Sequence, residues 1–222
     1  MEAFVKNKYW VLRHGRSIPN ERGIIVSSLD NGVLQEYQLA PEGVNQAQAA
    51  GLLFQNELDK INIPLENVRI CYSPFSRTTH TATLVASVLN LPFDGPQCKV
   101  MEELRERYFG PSFELKSHEK YTEIWDLDEK DPFMATEGGE SVADVVSRLT
   151  IALETIEKQF QGCAVLVVSH GDPLQILQTV MHAAKQQKGG DLVERIEAVK
   201  VADVLSQHRK SALQTGELRF VF

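Results

Sequence analysis

The stretch Tyr9-Trp10-Val11-Leu12-Arg13-His14-Gly15 (YWVLRHG) decides the reading of this chain. Four consecutive apolar residues are followed at once by a guanidinium, an imidazole and a residue without a side chain. A short apolar run bounded in this way predicts a buried strand over residues 8–13 that ends at an open edge of a sheet. The same grammar recurs twice further on. Residues 68–72 (VRICY) run into Ser73-Pro74, with Arg77 just beyond, and residues 163–169 (CAVLVVS) run into His170-Gly171-Asp172.

Helical spacing fills the intervals. Over residues 41–59, Val44, Ala47, Ala50, Gly51, Phe54 and Leu58 recur on one face, and Pro41 suits a first turn. Residues 77–89 are rich in Thr and Ala. Over residues 141–160, Val142, Val145, Leu149, Leu153, Ile156 and Phe160 form one stripe. Residues 173–185 predict a further helix. Residues 99–104 are strand-like, and 217–222 alternate like an edge strand. Strands that alternate with helices predict the α/β class: a three-layer, open, mostly parallel sheet with helices on both faces. The expected organisation is a single domain over 1–222 with a small polar insert at about 111–137, which carries Phe113, Tyr121, Trp125 and Phe133.

Composition narrows the function. The chain has 222 residues, is 43% hydrophobic and has a formal net charge of −7, so a nucleic-acid or anionic-membrane surface is not the expectation. Cys71, Cys98 and Cys163 are scattered without CxxC spacing, which indicates neither a disulfide framework nor a zinc site. No stretch approaches the length of a membrane span. A cytoplasmic location is expected.

Ligands of open α/β sheets bind at the carboxyl ends of the strands. Arg13, His14, Arg77 and His170 are therefore expected to meet at one edge, and Glu106, in the run Arg105-Glu106-Arg107-Tyr108-Phe109-Gly110, brings a carboxylate to it. Clustered cations lower the pKa of nearby histidines and invite a multiply charged anion, and arginine forks match phosphate oxygens. A neutral imidazole can attack phosphorus and a neighbouring carboxyl can move the proton. Gly15 and Gly171 let a ligand approach the backbone closely.

The block LRHGRSIPN, the later VVSHGD, the intervening SPFSRTTHTA over residues 73–82, the block LRERYFG over 104–110, and Gly139-Glu140-Ser141 before a long helix together resemble the histidine phosphatase superfamily, the phosphoglycerate mutase-like proteins. The resemblance covers most of the chain. It implies His14 as the nucleophile that becomes phosphohistidine and Glu106 as general acid, then base. It implies Arg13, Arg77 and His170 as holders of the phosphoryl oxygens, with Asn20 and Gly171 beside them. It implies no metal and no cofactor, a small phosphorylated metabolite as the partner, and a homodimer, since many members are dimers.

Several readings stay open at this point. Asp172, just ahead of Pro173, reads as a helix N-cap in preference to an acid. Asn20 is also an ordinary turn residue. His80, His118 and His182 read as structural or surface histidines. The basic run at 206–210 reads as a solvated surface, or as a tail that folds back toward a second anionic group of the substrate. Arg16 either adds charge to the site or pairs outward with an acid such as Glu21. The insert contains no arginine, with Lys116, Lys120 and Lys130 as its long cations, which favours hydrolysis over a cofactor-dependent mutase. A non-catalytic phosphate-binding protein on the same fold is the third reading.

Overall fold

The computed structural model describes residues 4–222. The apolar runs form β1 (Lys8–Arg13), β2 (Val68–Tyr72), β3 (Cys98–Val100), β4 (Ala164–Ser169) and β5 (Leu218–Phe220). They make one five-stranded sheet in the order β3-β2-β4-β1-β5, parallel throughout except for β5, which runs antiparallel along β1. The helices are α1 (Ile18–Arg22), α2 (Leu29–Gly32), α3 (Pro41–Lys60), α4 (Ser76–Val88) and α5 (Tyr121–Lys130). They continue with α6 (Val142–Gln159), α7 (Gly171–Lys185), α8 (Leu192–Val199) and α9 (Ala202–Leu205).

Every residue of β4 is buried, because layers cover it on both faces; its sequence is accordingly an unbroken apolar run. Neighbouring strands divide their side chains between two cores. Trp10 and Leu12 join Phe54 and Leu58 of α3 and Val85 of α4. Tyr9 and Val11 join Leu149 and Leu153 of α6 and Leu177 of α7 on the opposite face. The expected three-layer α/β arrangement is the observed one. Helix α6 starts where Ser141 caps the backbone of Asp144 and Asp144 returns the bond. Among the described residues no helix is long and apolar enough to cross a membrane.

Register builds the site. Arg13 lies beside Ser169 and Tyr72 beside Val168, so the three strands end level with one another. The His14 amide then donates to the Ser169 carbonyl at 3.0 Å and the Ser73 amide to that of Val168 at 3.1 Å. Gly15 is required by crowding: a Cβ there would fall 2.2 Å from the Gly43 carbonyl oxygen, in the first turn of α3. The end of the chain returns to the same edge, where the Gly216 amide donates to the carbonyls of Arg13 and His14, both at 3.1 Å.

Two expectations need correction. The strand expected over 99–104 is only Cys98–Val100, followed by a 3-10 turn over Glu102–Leu104. Its ladder to β2 ends at the pair Tyr72–Val100, and the turn drops Leu104 into the core. The helix expected from residue 173 begins at Gly171 with His170 as its N-cap. Asp172 is therefore inside the first turn and is not the cap.

Candidate active site

His14 follows β1 directly and is 2% exposed. Its Nδ1 lies 2.7 Å from the Gly15 carbonyl oxygen, an acceptor, so Nδ1 carries the ring proton. That leaves a lone pair on Nε2, which accepts from Arg77 Nε at 3.2 Å. Arg77, in the first turn of α4, is oriented by a second bond from Nη2 to the Val26 carbonyl at 2.9 Å. His170 is gripped by Ser73, whose Oγ lies 2.8 Å from Nε2, and the edge of Phe75 packs on the ring at a centroid separation of 4.8 Å. The rings of His14 and His170 meet edge to face, 5.3 Å apart.

Glu106 closes the group. Its Oε2 lies 3.7 Å from both Arg77 Nη2 and His170 Nδ1, and its Oε1 accepts from the Arg107 amide at 3.0 Å. Arg13 donates to the Leu213 carbonyl at 2.7 Å. Three buried nitrogens in this group have no hydrogen-bond partner: Arg13 Nε, Arg77 Nη1 and His170 Nδ1. Buried polar atoms are seldom left unpaired, so this set is suited to the oxygens of an anion. Gly171 opens α7 against Arg13, and the helix N-terminus adds its positive end to the same edge.

Burial sets the protonation states. It pushes His14 well below its usual 6.5, and the charges of Arg77 and Arg13 act in the same direction. His170 is likewise driven well down by burial and then by Arg77. Burial pushes the Glu106 carboxyl up to about 7; Arg77 opposes this and the Asp172 charge adds to it. The arrangement therefore offers a neutral imidazole with a lone pair on Nε2 and a carboxyl that titrates near neutrality.

Arg13, His14, Arg77 and Glu106 line a small cavity of about 30 Å³, and Asn20 completes its wall. Asn20 has a second task, since its Oδ1 accepts from the amide and hydroxyl of Ser17 and caps α1. A larger cavity of about 400 Å³ adjoins the first and shares Arg13, Asn20, Glu106, His118 and Tyr121 with it. Tyr121 and Trp125 of the insert stack at 9° and face this cavity, whereas Phe133 is 48% exposed. Arg16 both lines the larger cavity and pairs with acids, its Nε 3.9 Å from Glu21 and 3.4 Å from Glu42.

The sequence does not announce that four residues converge behind the site. Arg107 forms a forked pair with Asp128 of α5 at 2.7 and 2.8 Å, and its Nη1 also reaches Asp172 at 3.1 Å. His208 Nε2 sits 3.5 Å from Asp172 and 3.7 Å from Asp128, and its Nδ1 bonds the Leu205 carbonyl at 2.9 Å. Asp128, Asp172 and His208 have the spacing of a cation site, and the Arg107 guanidinium fills that role here. His208 belongs to the run read as solvated surface, yet it is fully buried. His118, read as structural or surface, bonds the Ile24 carbonyl at 2.8 Å and also lines the larger cavity.

This network carries a stability prediction. Burial lowers the His208 pKa, but its contact with Asp172 outweighs that and leaves it raised above 6.5. Its stabilisation is then fully present below pH 6.5 and lost as pH rises through the raised folded value. His208→Gln is expected to cost about 1–3 kcal/mol at pH 6, and less at pH 9. Urea unfolding of both proteins at the two pH values checks this; a gap that widens with pH contradicts it.

A model of the histidine phosphatase superfamily (branch 1) matches residues 9–212. The chain belongs to the histidine phosphatase superfamily. Solved structures share its fold at low identity. The mycobacterial glucosyl-3-phosphoglycerate phosphatase in complex with vanadate is 19% identical, with a TM-score of 0.68, over 95% of this chain and 90% of that one. A structure titled mycobacterial hydrolase 1 is 21% identical, with a TM-score of 0.66, over 95% and 86%. A functionally characterised open reading frame of Mycobacterium tuberculosis is 23% identical, with a TM-score of 0.62, over 96% and 89%. No curated protein matches the sequence.

Proposed function

We propose that this histidine phosphatase superfamily member is a metal-independent phosphomonoesterase that acts on a small phosphorylated metabolite through a phosphohistidine intermediate. The observation that carries this reading is the His14 Nε2 lone pair, held by Arg77 beside three unpaired buried nitrogens and a carboxyl that titrates near 7. The phosphoryl oxygens occupy the unpaired nitrogens of Arg13, Arg77 and His170. His14 Nε2 attacks phosphorus in line; the N–P bond forms as the P–O bond to the leaving alcohol breaks. Glu106 gives its proton to the departing oxygen. Water then enters, Glu106 takes its proton, the O–P bond forms, the N–P bond breaks, and inorganic phosphate leaves. The arginines supply the charge stabilisation that a metal ion supplies in other phosphoryl-transfer enzymes.

The insert supports hydrolysis over transfer between two positions of one substrate. It lines the larger cavity with Tyr121 and Trp125 and brings no arginine to it. The three free cysteines, two of them buried, accord with a reducing cytoplasm. A panel of metabolite phosphates assayed for phosphate release in EDTA tests the proposal. The expected result is metal-free turnover of one or a few compounds. Isomerisation that needs a bisphosphate primer would transfer the reading to a mutase.

A further inference from the structure

The leaving-group side of the pocket is lined by acceptors. Asp172 and Gln175 lie three residues apart on the first turns of α7, so both project from one face. Both line the 400 Å³ cavity next to the phosphoryl cradle. Asp172 keeps 11% of its side chain exposed there, and Arg107 and His208 hold it from behind. Burial alone would raise its carboxyl, but the contacts from His208 and Arg107 hold it below the usual carboxylate range. An ionised carboxylate accepts hydrogen bonds and donates none. The Oε1 of Gln175 is buried without a hydrogen-bond partner, and a hydroxyl of the leaving group would satisfy it.

The cations nearest the cavity already face acids, an aromatic ring or the phosphoryl cradle. Of the two arginines that line the cavity, Arg13 belongs to the phosphoryl cradle, and Arg16 has its Nε 3.9 Å from Glu21 and 3.4 Å from Glu42, which offset its charge. An ammonium group gains little, because Arg107 and His208 already neutralise Asp172 and Arg13 stands in the same wall. Tyr121 and Trp125 also line this wall, stacked on each other, with the Arg209 guanidinium 3.7 Å over the Trp125 ring.

We propose that Asp172 and Gln175 form a specificity subsite that selects phosphomonoesters of neutral, hydroxyl-bearing alcohols and rejects those whose leaving group carries a second acid. The proposal rests on the phosphatase reading and names its substrate class.

The test compares glycerol 3-phosphate with 3-phosphoglycerate, which share a skeleton and differ by a hydroxymethyl against a carboxylate. Phosphoethanolamine adds an ammonium and ethyl phosphate adds nothing. The native protein is expected to prefer glycerol 3-phosphate over 3-phosphoglycerate by about tenfold or more in kcat/KM. Asp172→Asn, which gains an amide donor, is expected to narrow that ratio by about tenfold through better use of the acid. Gln175→Leu is expected to lower kcat/KM for glycerol 3-phosphate about tenfold and to leave ethyl phosphate unchanged. If Asp172→Asn does not fold, Gln175→Leu decides alone. Equal or better use of 3-phosphoglycerate or phosphoethanolamine by the native protein overturns the proposal, as does an unchanged ratio in Asp172→Asn. If no compound releases phosphate, the phosphatase reading fails. Calorimetric affinities of the native protein for the same compounds then decide the subsite, with tighter binding of glycerol 3-phosphate expected.

Discussion

His14→Ala is expected to lose phosphate release by a factor of about 10⁴ or more while the protein still binds inorganic phosphate. The two effects separate because they rest on different atoms. In the proposed mechanism the reacting lone pair is on His14 Nε2, whereas the unpaired nitrogens that suit the phosphoryl oxygens are on Arg13, Arg77 and His170. Truncation removes the first and leaves the second. It also leaves a ring-sized space beside Arg77, so free imidazole is expected to restore part of the rate. A general loss of structure would not respond to imidazole. Initial-rate measurements with and without imidazole, together with phosphate binding by calorimetry, check both halves. Full activity in His14→Ala would remove the covalent step from the mechanism.

Glu106→Gln is expected to lower the turnover of alkyl phosphates by about 10²–10⁴-fold. The first step with p-nitrophenyl phosphate is expected to suffer much less, because that leaving group departs without a proton. The pH dependence follows from the two ionisations that matter to the first step. His14 is held well below 6.5, so the neutral nucleophile is present across the neutral range. Glu106 titrates at about 7, so its acid form is lost above that value. For the native protein, kcat/KM with an alkyl phosphate should therefore hold below pH 7 and fall above it. The amide of Glu106→Gln cannot titrate, so the residual rate should lack that fall. A profile measured from pH 5 to 9 decides this; an unchanged alkaline limb in the variant would assign it to another group.

The edge that carries the candidate site is legible in the sequence because strand termini leave a local signature. Apolar runs ending in Arg13-His14-Gly15, Ser73 and Ser169-His170 announce both the parallel sheet and the edge at which ligands of such sheets bind. Gly15 has a reason that only the structure shows, namely its contact with the Gly43 backbone. The network behind the site is not legible. Arg107, Asp128, Asp172 and His208 come from four distant segments, and nothing in their spacing announces that they converge. His208 is the clearest case: beside Arg209 and Lys210 it looks solvated, yet α9 and the following turn carry it under Asp172. The shortened β3 has a related cause. Apolar residues after Val100 fit a strand pattern, but β2 ends at Tyr72 and offers no further partner.

In the proposed mechanism His14 carries the phosphoryl group during turnover. The most direct measurement is rapid quenching of the native protein with a ³²P-labelled phosphoester that it hydrolyses, followed by mapping of the label. An acid-labile, base-stable label is expected on the peptide that contains His14, formed faster than phosphate is released and absent in His14→Ala. Steady turnover with no labelled protein, or a label on any other residue, would contradict it.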